Sequence, residues 1–141
     1  MHLTKEELPH IIMGACMEVH KNLGPGMGAD AYKDCLAIEF RMREIFFTRD
    51  QPFSFDYKGH HVESSARLDF VVENLVIVSV VTTDQFEAPQ RRTLNNYLRL
   101  TGIEIGLLVN FNAQKLRDGI KRLIVSSDQP HVRYKGEEGM D

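Results

Sequence analysis

The segment from Arg67 to Thr82, RLDFVVENLVIVSVVT, constrains the fold of this chain more than any other. Two apolar runs flank the pair Glu73-Asn74, which predicts two strands joined by a tight turn. The second run, from Leu75 to Val81, is apolar on both faces and is typical of a strand that is covered on each side. The first run carries one carboxylate, Asp69. Because a charge inside a buried strand is costly unless it is paired or holds a metal, Asp69 is a candidate for one half of an active site.

Composition favours a single soluble globular domain. The chain has 141 residues, of which 43% are hydrophobic and 26% are charged. We expect one domain over residues 1-141, with a core at about 4-125 and a polar, frayed C-terminal tail at about 126-141. No apolar run reaches the roughly 18 residues that span a bilayer, and the N-terminus lacks the layout of a signal peptide. The expected location is therefore the cytoplasm.

The charge balance argues against a strong binder of nucleic acid. The formal net charge is -3, whereas neutralising phosphates requires clustered lysines and arginines. Arg91, Arg92 and Arg99 lie on one predicted helix and are the possible nucleic-acid contacts, although a solvated helix face explains them more simply. The two cysteines, Cys16 and Cys35, fall on apolar faces of predicted helices, so we expect free thiols and no disulfide.

Hydrophobic periodicity predicts an α/β domain with a mixed central β-sheet flanked by helices on both faces. Because a helix links the third and fourth strands, we expect that pair to be parallel. The predicted elements are a helix from the Thr4/Glu7 capping box to Gly24, a helix from Asp30 to Ile45, a strand from Pro52 to Tyr57, the two strands described above, a helix from Pro89 to Thr101, a strand from Ile103 to Phe111, a short helix near Ala113 to Asp118 and a strand at Ile124-Val125.

Three other patterns do not support a site. The glycine-rich segment 24-29 resembles a dinucleotide fingerprint, but that motif needs a strand before it, and here a helix precedes it. The pair His60-His61 falls at a turn, and neighbouring strand residues point to opposite faces, so the pair is not expected to chelate a metal. Ser64, Ser65 and Ser79 lack the flanking glycines of a nucleophile elbow.

Five segments together resemble the GxxExxY family, whose fold resembles that of the PD-(D/E)XK nucleases. They are GPGMGADAYKDCLAIEFRMREI, FDYKG, RLDFVVENLVIV, NNYLRLTG and GLLVNFN. The resemblance implies a restriction-endonuclease-like (PD-(D/E)XK) core with a metal site at the centre of the sheet. That site has a helical glutamate, an aspartate on the second strand and a Glu-x-Lys pair on the third. There, Mg²⁺ or Mn²⁺ is held by carboxylates and substrate phosphate, and the lysine stabilises the attacking or leaving oxygen.

Three residues of the implied site are retained: Asp69 on the second strand, Tyr32 of the helical motif and Tyr97 on the third helix. For Asp69, two structural interpretations stay open. It pairs with an arginine such as Arg67 or Arg92, or it is a solvated group at a strand end. A pairing would shift the pKa of this carboxylate in a direction set by whether desolvation or the partner dominates.

The remaining positions of the implied site have changed together, while the segments around them stay recognisable. Relatives carry a glutamate in the helical motif, the Glu-x-Lys pair on the third strand, and a histidine and a glutamine on the third helix. This chain has Ala29, Ser79, Val81, Gln90 and Thr93 at those five positions. The pattern indicates a site that was lost as a unit.

The sequence therefore predicts a catalytically inactive PD-(D/E)XK nuclease-like domain that acts as a binding or structural module. Its acidic charge favours another protein or a second copy of the chain as partner, with nucleic acid held without cleavage as a further option. Phe46-Phe47 and the apolar surplus of the second helix are the candidate surface for a homodimer. No membrane contact and no cofactor are expected.

The alternative is an active metal-dependent nuclease with relocated catalytic residues. Asp30, Glu63, Asp84 or Glu87 would then supply the second carboxylate, and Mg²⁺ or Mn²⁺ would be the cofactor. Asp30 follows the vacant glutamate position directly, but one step around a helix is about 100 degrees and aims it elsewhere. Without relocation no metal site is expected, and Asp69 is the one candidate for a metal contact.

Overall fold

The computed structural model describes residues 3–84 and 88–125, so the predicted tail lies outside the described residues. Helices and strands follow one another in the predicted order. They are α1 (Leu8–Leu23), α2 (Ala29–Met42), β1 (Phe47–Tyr57), β2 (His60–Val72), β3 (Val76–Val81), α3 (Ala88–Thr101), β4 (Ile105–Asn110), a 3-10 helix (Leu116–Gly119) and β5 (Ile120–Ile124).

The strands form one mixed sheet in the order β1-β2-β3-β4-β5. β3 and β4 are parallel, and the other neighbouring pairs are antiparallel. The parallel pair is joined through α3, which confirms the predicted crossover. Every residue of β4 is buried, as expected for a strand covered on both faces.

Helices cover both faces of the sheet, which confirms the predicted architecture. On one face, α1 and α2 enclose a core that includes Tyr32, Phe40 and Phe70. On the other face, α3 packs Leu94 and Leu98 onto the sheet in a second cluster. The two clusters place the sheet between two layers of helix, and functional groups can reach the sheet from either side.

α3 approaches the sheet closely at Gly106 of β4. A Cβ atom there would lie 2.9 Å from Leu98 Cδ1 and 3.1 Å from Leu94 Cδ2. α3 ends at Thr101, and the next residue, Gly102, has a φ of 81° and donates its N–H to the carbonyl of Leu98 at 3.0 Å. The segments NNYLRLTG and GLLVNFN therefore form one packing unit that sets the position of α3.

The helix boundaries differ from those predicted. Thr4 Oγ1 accepts a hydrogen bond from the Glu7 N–H at 3.2 Å, but this closes a turn before α1, which begins at Leu8. α2 begins at Ala29 after Gly28, not at Asp30, and it ends at Met42. It stops before Ile45 because Glu44 adopts a left-handed φ of 58° and Ile45 donates back to the Phe40 carbonyl at 2.9 Å.

Three strands are longer than predicted. The extra residues of β1 and β2 include many polar side chains, which hide the alternation on which the prediction depended. A bulge between Pro52 and Ser54 also shifts the register of β1 against β2. β1 begins at Phe47 instead of Pro52, β2 at His60 instead of Arg67, and β5 at Ile120 instead of Ile124.

The paired phenylalanines after α2 separate. The Phe47 ring lies 5.4 Å from that of Phe40 and 5.8 Å from that of Phe70, so it joins the core. Phe46 is 58% exposed, and two further apolar side chains of α2 are also exposed, Met42 at 72% and Ile38 at 50%. The apolar surface predicted here consists of Phe46 with the outer side of α2. No helix among the described residues has the length and apolar character to cross a membrane.

Candidate functional site

β2 and β3 separate beyond the pair Phe70 and Val78. They are paired at three positions only, although both strands continue past that point. Asp69 lies where they part, and its Oδ2 accepts a hydrogen bond from the Val80 backbone N–H at 2.8 Å. A side-chain carboxylate thus satisfies a buried donor that the strand ladder does not reach.

Asp69 is paired with Lys33 of α2. The Lys33 Nζ atom lies 3.2 Å from Asp69 Oδ1 and 2.5 Å from Asp50 Oδ1. The side chain of Lys33 is 11% exposed and that of Asp69 is 27% exposed. The expectation of an arginine partner, Arg67 or Arg92, is therefore wrong, because the cation comes from a helix on the opposite face of the sheet from α3. We call Lys33, Asp50 and Asp69 the lysine cluster.

Asp50 reaches the lysine cluster because β1 is irregular there. The ladder to β2 pairs Arg49 with Phe70 and Gln51 with Leu68, and Asp50 lies between them with a φ of 53°. A left-handed φ is uncommon for a residue other than glycine, and aspartate tolerates it better than most. Asp50 Oδ2 also lies 3.6 Å from Arg49 Nε. Arg49 in turn contacts Asp34 Oδ1 of α2 through its Nη1 atom at 2.6 Å.

The two carboxylates keep Lys33 charged. Burial lowers the pKa of Lys33, but the hydrogen bond to Asp50 and the charge of Asp69 outweigh it, so that the pKa is raised above its ordinary value of 10.5. Desolvation, and then the negative charge of Asp69, raise the pKa of Tyr97 above 10.0. At neutral pH the cluster therefore holds one ammonium, and the phenol nearby is neutral.

A cavity of about 410 Å³ opens on the α3 side of Asp69, and we call it the cleft. Its walls come from β2, β3, β4 and α3, with Leu94 and Leu108 among its apolar lining. The structure places six of the eight predicted site positions in this lining, together with Arg67. These six are Asp69, Ser79, Val81, Gln90, Thr93 and Tyr97.

The other two predicted positions, Tyr32 and Ala29, do not line the cleft. Tyr32 is fully buried, and its ring stacks on Phe111 with centroids 4.5 Å apart. Its hydroxyl donates to the Gly24 carbonyl at 2.5 Å and accepts from the Met27 N–H at 3.1 Å. Ala29 packs against the core under α1 and α2. Tyr32 therefore holds the loop between the first two helices.

The three predicted nucleic-acid contacts also lie outside the cleft. Arg92 and Arg99 are exposed, and Arg91 is partly buried. Arg99 Nη2 donates to Asn96 Oδ1 at 3.1 Å on the same helix. Among the described residues of the lining, Arg67 is the cation, and its predicted role was limited to pairing with Asp69.

Sequence reasoning missed Lys33 and Asp50. A usable signal existed for Lys33, because it lies on the same side of α2 as Ala37 and Phe40, which are buried at helical spacing. A lysine on a buried stripe indicates a carboxylate partner inside the fold. No such indication existed for Asp50, since the direction of its side chain depends on the left-handed backbone of β1 at this residue.

The residues present do not fit the divalent metal centre that the resemblance implies. Among residues 3–84 and 88–125, no group of three or more His, Cys, Asp or Glu side chains could hold a metal ion. Asp69 is the one carboxylate in the described lining of the cleft, and both of its oxygens already accept hydrogen bonds or an ion pair. Asp30, Glu63 and Asp84 do not line the cleft, and Glu87 lies outside the described residues.

A comparison with known families finds a match over most of the chain. The family model of the PD-(D/E)XK nuclease superfamily matches residues 6–123, a span that begins two residues before α1 and ends within β5. No curated protein and no solved structure matches the chain. The chain belongs to the PD-(D/E)XK nuclease superfamily.

Proposed function

We propose that this chain is a catalytically inactive superfamily member of the GxxExxY type that acts as a binding or structural module. The supporting observation is the engagement of Asp69, whose oxygens are taken by Lys33 and by the Val80 N–H. Ser79 and Val81 line the same cleft and supply neither a carboxylate nor an ammonium. Metal-assisted cleavage of a phosphodiester needs a cation at the phosphate and a group that activates or stabilises oxygen.

Metal binding and cleavage test this proposal together. Calorimetry with Mg²⁺ and Mn²⁺ is expected to give no binding to the wild-type protein, and plasmid and oligonucleotide substrates are expected to stay intact. Micromolar binding that disappears in Asp69→Ala would overturn the proposal. The matched control is Glu63→Ala, which removes an exposed carboxylate of the same strand that does not line the cleft.

Restoration of the missing groups provides the converse test. Ser79→Glu with Val81→Lys places a carboxylate and an ammonium in the cleft beside Asp69. Cleavage that appears only in this double variant supports a nuclease scaffold that has lost its site. Adding Ala29→Glu is expected to contribute little, because Ala29 packs against the core and does not line the cleft.

A protein partner or a second copy of the chain is the proposed ligand of the module. The exposed apolar side chains of Ile38, Met42 and Phe46 support it, as does the net charge of -3. Sedimentation velocity over a range of concentrations tests self-association. If copies associate through this surface, Met42→Ser is expected to weaken the dimer, while Met17→Ser on α1 leaves it unchanged. A monomer at every concentration removes the homodimer.

Nucleic acid held without cleavage is tested separately. Fluorescence anisotropy with single- and double-stranded oligonucleotides is expected to show weak or no binding. If binding occurs through Arg67 in the cleft, it falls with rising salt and with Arg67→Ala. If it occurs along α3, Arg92→Ala and Arg99→Ala reduce it instead. The two sets of variants separate the cleft from the outer helix.

One observation favours the second candidate, an active nuclease with relocated residues. Lys33 Nζ lies 3.2 Å from Asp69, and Asp50 adds a second carboxylate, so the lysine cluster contains a lysine and two acids. In that case the wild-type protein cleaves DNA with Mg²⁺ or Mn²⁺, and both Lys33→Met and Asp50→Asn abolish cleavage. Lys5→Met is the matched control, since Lys5 forms an exposed ion pair with Glu104 away from the cleft.

A further inference from the structure

We infer that the ammonium of Lys33 is an internal substitute for a metal ion: it occupies the cation position between Asp50 and Asp69. The inference rests on the proposed function, because it explains how the site became inactive without losing the fold. It assigns to Lys33 a role opposite to that of a catalytic lysine. The lysine holds the two strands through their carboxylates and keeps a divalent cation out.

The carboxylates of Asp50 and Asp69 converge on one point. Asp50 and Asp69 lie opposite each other on β1 and β2, between the ladder pairs Arg49 with Phe70 and Gln51 with Leu68. Each directs its Oδ1 atom to the same point, where Lys33 Nζ lies 2.5 Å from one and 3.2 Å from the other. Two carboxylates that converge in this way repel each other unless a cation lies between them.

Lys33 lies on the buried side of α2. Its side chain is only 11% exposed, and a lysine is buried to this extent only when its charge is paired. The ammonium thus reaches the carboxylates of β1 and β2 from the buried side of α2. A compact, monovalent charge on a flexible stem can donate to both carboxylates there.

The remaining charges near the lysine cluster do not take over its position. Arg49 Nε is 3.6 Å from the other oxygen of Asp50, and its Nη1 is held by Asp34 at 2.6 Å. Arg67 lines the cleft beside Asp69. Removing the Lys33 ammonium therefore leaves two converging carboxylates, which are the ligands that Mg²⁺, Mn²⁺ and Ca²⁺ prefer.

The test is the gain of metal binding when the ammonium is removed. Lys33→Met keeps most of the side-chain volume without the charge. We expect its midpoint of thermal unfolding to fall by at least about 3 °C and to recover by a similar amount in millimolar Mn²⁺ or Ca²⁺. In the wild-type protein and in the Lys5→Met control, the metal is expected to leave the midpoint of thermal unfolding unchanged. Manganese electron paramagnetic resonance gives an independent readout of bound metal.

The two carboxylates are tested by combination. Lys33→Met with Asp69→Asn, and Lys33→Met with Asp50→Asn, are expected to lose the response to metal. A Lys33→Met protein that folds and shows neither metal binding nor recovery overturns the inference, for instance because Arg67 swings onto Asp69. This failure leaves the proposed function intact, whereas metal binding by the wild-type protein contradicts the proposed function itself.

A folding defect does not remove the test. If Lys33→Met is unfolded, refolding is followed by circular dichroism with and without Mn²⁺, and Lys33→Gln, which retains a hydrogen-bond donor, is treated in the same way. Refolding that requires the divalent cation supports the inference. If both variants stay unfolded with and without the cation, Lys33 has a structural role that a metal does not replace, and the inference fails.

Discussion

Asp69 Oδ2 lies 2.8 Å from the backbone nitrogen of Val80 and accepts its hydrogen bond. The contact stands where the ladder between β2 and β3 ends, one residue beyond the last pair on β2. Because Val80 is buried, its N–H would otherwise lack an acceptor. The carboxylate that the resemblance assigns to the implied metal site thus serves as part of the sheet.

Truncation of Asp69 is expected to destabilise the protein. Asp69→Ala leaves the Val80 N–H without its acceptor and removes one partner of Lys33, at a cost of about 1–3 kcal/mol in the free energy of unfolding. Asp69→Asn keeps an acceptor for Val80 but not the charge, so its loss is expected to be smaller. Urea unfolding measures both. Equal stability of all three proteins would show that the contact contributes nothing.

Removal of the Tyr32 hydroxyl is expected to loosen the loop between α1 and α2. Tyr32→Phe keeps the stacking on Phe111 and loses the hydrogen bonds with Gly24 and Met27. The expected loss is about 1 kcal/mol, or roughly 3 °C in the midpoint of thermal unfolding. Tyr57→Phe, at an exposed strand end, is the matched control and is expected to be neutral.

Alanine at two glycines is expected to act in opposite directions. Gly106→Ala drives a methyl group to 2.9 Å from Leu98 Cδ1 and is expected to cost about 1–3 kcal/mol by overpacking. Gly14→Ala lies inside α1, where the nearest atom is 3.8 Å away, and is expected to stabilise the protein by about 1 kcal/mol. Calorimetric scans of the two variants give the comparison. A neutral Gly106→Ala would mean that α3 can move off the sheet.

Alkaline pH is expected to remove the contribution of Lys33 to stability. The folded protein raises the pKa of this amine above 10.5, so the contribution is fully present below pH 10.5 and is lost as the pH rises through the folded pKa. The difference in unfolding free energy between wild type and Lys33→Met is therefore flat near neutral pH and shrinks at strongly alkaline pH. Because the raised pKa of Tyr97 acts in the same direction, the series is repeated in a Tyr97→Phe background.

The two thiols are expected to differ in reactivity. Burial raises the pKa of Cys16 to about 12, and this residue is fully enclosed in the core. Cys35 is partly exposed on α2. A thiol reagent is therefore expected to modify Cys35 in the native protein and Cys16 only after unfolding, since the thiolate is the reacting form. Simultaneous modification of both would show that α1 opens readily.

Much of the fold could be predicted because the spacing of apolar residues along each segment indicates whether it forms a helix or a strand. Runs such as Leu75 to Val81, apolar on both faces, indicate a covered strand wherever they occur. The start of β1 was missed because Thr48, Arg49 and Asp50 are polar and the strand is irregular there. Six positions that the resemblance assigns to one site do line the cleft, whereas Tyr32 lies in the core of the other layer and Ala29 packs against that core.

The sequence by itself determined the order of helices and strands, because local periodicity gives it, and the parallel pair of the mixed sheet, because a helix links those two strands. It also shows that positions 79 and 81 carry a serine and a valine, which supply neither a carboxylate nor an ammonium. Only the tertiary structure decided what Asp69 does. Its partners are Lys33, on a helix distant in sequence, and the backbone N–H of Val80 on the next strand. Asp50, which shares Lys33 with it, lies on an irregular part of β1. Such contacts depend on how helices and strands pack across the sheet, and no local pattern encodes that distance or direction.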